Sequence, residues 1–213
     1  MKRRVGVLIS GRGSNLLSLI GAAHDASFPA GIVAVVSNRP EAAGLIRARD
    51  AGIPAFSIDH RAYRGDRGAH EAAIHAVLVE AGVEIVCLAG YMRLLTPFLV
   101  EAWRGRMLNI HPSLLPAFPG LHTHARAIAA GVKLHGCTVH EVTQQMDEGP
   151  ILAQAAVPVL PGDTADGLAA RVLAQEHLIY PAALGAFVRG DGAVFAAGSA
   201  SFANPLPNGD GLP

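Results

Sequence analysis

The chain has 213 residues, of which 51% are hydrophobic and 16% are charged, a composition that excludes intrinsic disorder for most of its length. Its 17 basic and 17 acidic residues cancel, which argues against nucleic acid or an anionic membrane surface as a partner. Two cysteines, Cys87 and Cys137, are too few for a disulfide scaffold, and the apolar runs are too short for a signal peptide or a membrane span. We therefore expect a cytoplasmic protein.

Short β-branched segments alternate with Ala-rich helical segments over the first 110 residues. The apolar runs predict strands at residues 5–9, 32–36, 54–58, 83–89 and 106–110. Helices are predicted from residue 14, where Ser14 and Asn15 would cap the first one, and at residues 41–51 and 66–81. Apolar strands separated by helices are typical of a parallel sheet that is covered on both faces.

The pattern changes after residue 110. Residues 111–120 contain three prolines and predict an ordered, non-helical loop. A short helix at residues 123–131 and two strands at 138–142 and 150–157 follow, and we expect these strands to add to the sheet in antiparallel fashion. A long helix at residues 163–188, capped by Asp163 or Thr164, closes the fold. The sequence predicts a single α/β domain over residues 1–190 and a poorly ordered tail over residues 191–213.

A glycine-rich loop, Ser-Gly-Arg-Gly-Ser-Asn at residues 10–15, lies between the first strand and the first helix. Backbone N–H groups at such a helix start bind phosphate well. The loop lacks the third glycine of a dinucleotide fingerprint, since Leu16 stands there, and the chain has no Gly-Lys-Ser/Thr. The loop is either a phosphate site for another ligand or an ordinary tight turn.

Asn109, His111 and Asp147 form the candidate catalytic set. Alternation along a strand places Asn109 and His111 on one side at the strand's carboxyl end, where open α/β sheets bind ligands. Asn can donate to a developing oxyanion, His can carry a proton near neutral pH, and Asp can hold the imidazole charged. The set suits transfer of an acyl-like group to an amine. Alternatively, His111 only closes a Pro-rich turn and Asp147 only starts a β-turn.

The remaining histidines do not predict a metal site. His122 and His124 form a His-x-His pair without a third ligand at fixed distance, and no His-Glu-x-x-His is present. We therefore expect no metal cofactor. Arg93 follows a buried strand, where it could either meet an anionic or heteroaromatic ligand or simply face solvent.

Five segments together carry a family resemblance: residues 9–16, 88–95, 109–124, 135–152 and 175–181. In these segments the chain resembles the phosphoribosylglycinamide formyltransferase family, the folate-dependent formyltransferases of purine synthesis, over about residues 3–190. Pro-Gly-Leu-His-Thr-His at residues 119–124 separates this family from methionyl-tRNA formyltransferase and from formyltetrahydrofolate deformylase. The resemblance implies a Rossmann-like, three-layer α/β fold. It also implies transfer of the formyl group of 10-formyltetrahydrofolate, as co-substrate, to the amine of glycinamide ribonucleotide.

The resemblance also implies a role for each matching position. The catalytic residues would be Asn109, His111 and Asp147. The ribonucleotide would bind Gly13, Ser14, Asn15, Leu173, Ala174, Gln175 and Glu176. The folate would bind Arg67, Met92, Arg93, Leu94, Leu95, Asn109, Thr143, Gln144, Gln145, Met146 and Asp147. The implied partners are these small molecules alone, with the chain as a monomer or homodimer.

Two positions depart from the family pattern. Arg12 replaces a residue that is commonly polar and uncharged, and Gln144-Gln145 replaces a more acidic pair. Two other functions stay open at this point: a hydrolase that admits water in place of the amine, and a binding module without catalysis. The phosphate loop together with residues 119–124 favours the transferase over the hydrolase, and the set of Asn109, His111 and Asp147 argues against the binding module.

Overall fold

A computed structural model describes residues 1–190, so the expectation of a poorly ordered tail at residues 191–213 lies outside the described residues. A seven-stranded sheet forms the centre of the described chain, with strand order β3-β2-β1-β4-β5-β6-β7. The strands are β1 (Arg3–Ile9), β2 (Ala30–Ser37), β3 (Ala55–Ser57), β4 (Ile85–Leu88), β5 (Met107–His111), β6 (Leu134–Glu141) and β7 (Ile151–Pro158).

The sheet is parallel from β3 to β5 and antiparallel beyond β5. Strand β1 pairs in parallel with β2 and β4, and β2–β3 and β4–β5 are parallel as well. Strands β5–β6 and β6–β7 pair in antiparallel fashion. Parallel neighbours need a crossover connection, and helices supply it between each pair of consecutive strands from β1 to β5. The predicted α/β sheet with antiparallel C-terminal strands is confirmed.

The helices of the described chain agree with the prediction except for two short elements. They are α1 (Ser14–His24), α2 (Ala43–Asp50), α3 (Arg67–Glu80), α4 (Pro97–Ala102), α5 (Thr123–Ala129) and α6 (Ala165–Arg189), with a 3-10 turn at His60–Tyr63. The sequence analysis missed α4 and the 3-10 turn. Neither is long enough to display a helical apolar period, so periodicity alone could not find them.

The start of α1 also differs from the prediction. Its N-cap is Gly13, and no side chain caps the helix, so the assignment of Ser14 and Asn15 as caps is wrong. Gly13 takes up a left-handed conformation, φ 72° and ψ 36°, that glycine adopts without steric cost. Consequently, the first N–H groups of α1 have no side-chain acceptor at the cap position.

The start of α6 shows which of the two candidate residues caps the helix. Thr164 is the cap, because its hydroxyl accepts from Gly167 N at 3.1 Å. Asp163 instead accepts from Leu160 N and binds the Arg171 guanidinium through both carboxylate oxygens at 2.9 Å. These hydrogen bonds lower the pKa of Asp163 to about 2.

Alternate residues of the strands enter two apolar clusters, one on each face of the sheet. In β1, Val5, Val7 and Ile9 belong to the cluster that includes residues of α1, α2, α5 and α6, whereas Leu8 belongs to the cluster of α3 and α4. This alternation is the period of two expected for a strand buried on both faces. The result is the predicted three-layer arrangement.

Tyr180 connects α6 to the middle of the sheet. It is fully buried, and its hydroxyl lies 3.1 Å from Leu88 O and 3.2 Å from Leu108 O, at the neighbouring strands β4 and β5. Burial raises the pKa of this phenol and also raises that of Cys87 to about 12. Cys87 and Cys137 are both buried free thiols. Within residues 1–190, no helix is long and apolar enough to cross a membrane.

The close pairing of β6 with β7 yields a stability prediction. A Cβ atom at Gly136 would lie 1.9 Å from the backbone oxygen of Ala155, whereas one at Gly21 in α1 would meet nothing within 4 Å. We expect Gly136→Ala to lower the free energy of unfolding by about 3 kcal/mol, because backbone must move. Gly21→Ala should raise it by about 0.5–1 kcal/mol, because alanine favours the helix. Urea denaturation measures both changes, and equal midpoints for the two variants would contradict this account.

Candidate active site

Strand β5 carries Asn109 and His111 on the same side, two residues apart. Their neighbours Leu108 and Ile110 point to the opposite face, into the cluster shared with α6. The antiparallel pairing with β6 places His140 directly opposite Asn109. Asp147 reaches the same place from the turn between β6 and β7. The structure therefore brings the three predicted catalytic residues together and adds a fourth polar side chain.

The His111 imidazole lies between two hydrogen-bond acceptors. Its Nε2 is 3.1 Å from Phe118 O, and its Nδ1 is 3.5 Å from Asp147 Oδ2. A carbonyl and an ionised carboxylate can only accept, so hydrogens on both ring nitrogens satisfy this arrangement. The side chains of His111 and Asp147 are only 7% and 10% exposed, which strengthens their attraction. The structure thus offers an acceptor to each ring nitrogen of His111.

The surroundings of His140 favour a neutral ring. Its Nδ1 lies 2.9 Å from Glu141 O and carries the hydrogen, so its Nε2 can accept from Asn109 Nδ2 at 3.2 Å. Burial lowers the pKa of His140, although the Asp147 carboxylate 3.8 Å away acts in the opposite direction. A neutral His140 thus fixes the orientation of the Asn109 amide. The second N–H of that amide is left for a ligand.

Strained turns support this cluster. Phe118, His122 and Asp147 have φ of 54°, 57° and 59°, a left-handed conformation that costs free energy in residues other than glycine. Asp147 Oδ2 also accepts from Gly120 N at 2.9 Å. The Pro-rich loop thus supplies both a carbonyl that binds His111 and an N–H that binds Asp147. Each turn is held in its conformation by these contacts across the site.

The glycine loop lies at the carboxyl end of β1 against the start of α2. Gly44 N donates to Gly11 O at 3.0 Å, and a Cβ atom at Gly13 would lie 2.8 Å from the Gly44 Cα. Only glycine fits at Gly13, both for its left-handed φ and for this contact. Ser14 is partly buried as the first residue of α1, and Arg12 is exposed beside it.

The glycine loop is hydrogen-bonded to the segment of α6 that was predicted to bind the ribonucleotide, residues 173–176. Asn15 Nδ2 donates to Glu176 Oε2 at 2.6 Å, and both residues are buried. Burial raises the pKa of Glu176, and the bond from Asn15 acts against that shift. Asn15 Oδ1 and Gln175 Oε1 are buried and have no hydrogen-bond partner among residues 1–190. Leu173 is partly buried and Ala174 is exposed on the same segment. Buried polar atoms are rarely left unpaired, so these atoms are candidate contacts for a polar ligand.

The loop after β4 presents apolar side chains to solvent. Met92 and Leu94 are 67% and 60% exposed, Arg93 is partly buried, and Leu95 packs against the apolar cluster of α3 and α4. The Arg93 charge helps to lower the pKa of the neighbouring His70, after the larger effect of burial. Exposed apolar side chains grouped in one loop are typical of a ligand-binding surface.

The loop at residues 143–147 reaches α4 and the catalytic cluster. Gln144 Nε2 donates to Glu101 Oε1 at 2.6 Å, and Thr143 Oγ1 donates to Gln145 O at 3.1 Å. Met146 is 54% exposed. Arg67, by contrast, is exposed as the first residue of α3 and has no hydrogen bond or ion pair within residues 1–190. The structure therefore does not join Arg67 to the other predicted folate residues.

His124, one of the two histidines considered above as metal ligands, has another histidine as its neighbour. His124 Nδ1 and His135 Nε2 lie 3.2 Å apart, and burial lowers the pKa of His135 to about 4. Among residues 1–190, no group of three His, Cys, Asp or Glu side chains has an arrangement that could hold a metal ion.

The sequence analysis missed three participants in the cluster. His140 was covered there only by the conclusion that the remaining histidines predict no metal site, and the backbone groups of Phe118 and Gly120 did not appear at all. Pairing of the late strand with the strand of Asn109 would have shown His140, but the register of that pairing cannot be read from the sequence. Backbone contacts of a loop leave no residue-type signal.

Comparisons with known proteins identify the family of the chain. The sequence profile of the family described as formyl transferase matches residues 3–184. Phosphoribosylglycinamide formyltransferase of Escherichia coli (strain K12) is 46% identical over 184 residues, which are 86% of each chain. The crystal structure of phosphoribosylglycinamide formyltransferase from Brucella melitensis is 57% identical with a TM-score of 0.84, and the match covers 88% of this chain and 96% of that one.

A longer relative contains the same region. The trifunctional purine biosynthetic protein adenosine-3 of Bos taurus is 51% identical over 183 residues, which are 86% of this chain but 18% of the cattle protein. The chain thus spans less than a fifth of that relative and most of the length of the bacterial ones. On the family match and these identities, the chain belongs to the formyl transferase family, and its relatives of similar length are phosphoribosylglycinamide formyltransferases.

Proposed function

We propose that the chain transfers the formyl group of 10-formyltetrahydrofolate to the amine of glycinamide ribonucleotide, a step of de novo purine biosynthesis. The products are formylglycinamide ribonucleotide and tetrahydrofolate. The observation that carries this proposal is the cluster of Asn109, His111 and Asp147, which combines an oriented amide donor, an imidazole between two acceptors and a carboxylate. The relatives of similar length carry the name of this activity. Cytoplasmic location and a monomeric or dimeric state stay predictions.

The ribonucleotide subsite would lie between α1 and α6. Backbone N–H groups at Gly13, Ser14 and Asn15 would bind the phosphate, because the helix start has no side-chain cap to compete for them. The segment of Leu173, Ala174, Gln175 and Glu176 would contact the sugar. The unpartnered oxygens of Asn15 and Gln175 and the Glu176 carboxylate are suitable partners for hydroxyl groups.

The folate would lie against the two loops with exposed apolar side chains. Met92 and Leu94 on one loop and Met146 on the other offer apolar surface for a flat pterin ring. Arg93, Leu95 and the backbone of residues 143–147 would complete that surface. Arg67, with no partner within residues 1–190, would contact the anionic glutamate tail.

The reaction would proceed by direct attack of the amine on the formyl carbon. A C–N bond forms to the amine, and the oxygen gains negative charge in a tetrahedral intermediate. The free N–H of Asn109 would donate to that oxyanion, and the positive charge of a protonated His111 beside it would stabilise it electrostatically. Asp147 keeps the imidazole charged and helps a proton to pass, through water, from the amine to N10 of the folate. The bond from the formyl carbon to N10 then breaks.

A paired assay with purified protein tests this proposal. We expect tetrahydrofolate to form from 10-formyltetrahydrofolate only when glycinamide ribonucleotide is present, with the formyl group recovered on the ribonucleotide. Equal tetrahydrofolate with and without the ribonucleotide, together with free formate, would identify a deformylase instead. Binding of both ligands without product would identify a binding module. Either result would overturn the transferase proposal.

Asp147→Asn tests the role of the carboxylate. The amide removes the charge opposite His111 but keeps an oxygen that can accept from Gly120 N. We expect kcat to fall by about 10² to 10⁴ while the urea midpoint stays near that of the wild type. Steady-state kinetics measure the first and denaturation the second. An unchanged kcat would exclude Asp147 from the chemistry.

Glu176→Gln tests the ribonucleotide subsite. The substitution removes a buried carboxylate that accepts from Asn15 and, in our proposal, from the sugar. We expect KM for glycinamide ribonucleotide to rise about tenfold with little change in kcat, the result of lost ground-state binding. Glu80→Gln, at the exposed end of α3, serves as the control for charge removal. A rise in the KM of the folate alone would contradict the assignment.

A further inference from the structure

Ser10 is a buried side chain that touches two loops of the candidate site. It directly follows β1 and is 5% exposed. Its hydroxyl donates to Asn38 Oδ1 at 2.5 Å and accepts from Met92 N at 2.8 Å, and its own N–H donates to Gly90 O at 3.1 Å. A single hydroxyl therefore uses its donor and an acceptor position to join the ends of β2, β1 and β4.

The two loops that Ser10 joins hold different ligands in the proposed function. The glycine loop begins at the next residue, Gly11, whose carbonyl is itself held by Gly44 N. The second loop carries Met92 and Leu94, which are assigned to the folate. Asn38, which accepts from the Ser10 hydroxyl, is 2% exposed, and its carbonyl accepts from His60 Nδ1 at 2.9 Å. The acceptor of the Ser10 hydroxyl is therefore itself held in place.

The far end of the second loop has a separate support. Glu71 of α3 is 2% exposed, and its carboxylate accepts from Thr96 N at 2.9 Å and from Thr96 Oγ1 at 2.5 Å. Glu71 thus holds one end of the loop at residues 91–95 without touching the glycine loop. Ser10 holds the other end and belongs to the glycine loop at the same time.

We propose that Ser10 is a positioning residue that sets the distance between the ribonucleotide and the folate subsites. This inference rests on the proposed function. Ser10 contacts neither reacting group, and it acts through Met92 N on one side and through the backbone of Gly11 on the other. Transfer of a group between two bound molecules depends steeply on their separation, so a small shift of one loop lowers the rate more than it lowers binding.

Three variants separate this role from general support of the loops. Ser10→Ala removes the shared hydroxyl, and Glu71→Gln weakens the support at the other end of the folate loop. Ser37→Ala is the matched control. Ser37 is fully buried beside Ile9 of β1, and within the described part of the chain its hydroxyl bonds only to Arg39 N and O of its own turn, at 3.1 and 3.0 Å.

We expect a distinct kinetic pattern for each variant. With both substrates saturating, Ser10→Ala should lower kcat by about tenfold to a hundredfold, because the bound molecules are misplaced. Glu71→Gln should raise KM for 10-formyltetrahydrofolate and leave kcat within about twofold. Ser37→Ala should match the wild type. A kcat within twofold of the wild type for Ser10→Ala, or an equal loss of kcat in all three variants, would overturn the proposal.

A second measurement does not depend on catalysis. Hydrogen exchange of the Met92 amide should become faster in Ser10→Ala than in the wild type and stay unchanged in Ser37→Ala. Unchanged exchange in Ser10→Ala would show that the hydroxyl does not hold the loop, which also overturns the proposal. Absence of formyl transfer by the wild type would instead refute the proposed function. The two failures are distinguishable, because exchange at Met92 reports the hydrogen bond from Met92 N to Ser10 whether or not the protein transfers a formyl group.

Discussion

The candidate site depends on the antiparallel pairing of β6 with β5. This pairing places His140 opposite Asn109 and leads the chain into the turn that carries Asp147. If the register moved by one residue, His140 would point to the other face of the sheet and the Asn109 amide would lose its acceptor. The four parallel pairs of the sheet position the loops that we assign to the substrates, and the antiparallel pair of β5 and β6 brings the candidate catalytic residues together.

Two histidines of the cluster have different hydrogen-bond partners. His111 lies between a carbonyl and a carboxylate, whereas His140 binds a carbonyl with one nitrogen and an amide N–H with the other. The same type of side chain thus meets two acceptors in one place and one acceptor and one donor in the other. Asp147 lies beside both rings, with Oδ2 3.5 Å from His111 Nδ1 and Oδ1 3.8 Å from His140 Nε2.

The sequence predicted the architecture well because the apolar runs of β1, β2 and β4 are unambiguous. It also singled out Asn109, His111 and Asp147, which the structure brings together, since polar residues at the end of an apolar strand and in a turn stand out. It could not find the contacts of Ser10, because a serine that joins three strand ends resembles any serine in a loop. It misassigned the cap of α1, because the left-handed conformation of Gly13 is set by contact with Gly44 and not by its neighbours in sequence.

Tyr180 and Glu176 lie one helical turn apart on α6. The phenol of Tyr180 is fastened to the carbonyl of Leu108, the residue before Asn109, while the carboxylate of Glu176 is fastened to Asn15. The helix therefore holds the glycine loop at a fixed distance from β5, the strand that carries Asn109. A ligand that displaced Glu176 would therefore also displace Tyr180 and its contact with β5. A change that alters ligand affinity at Glu176 is thus expected to alter the position of Asn109 as well.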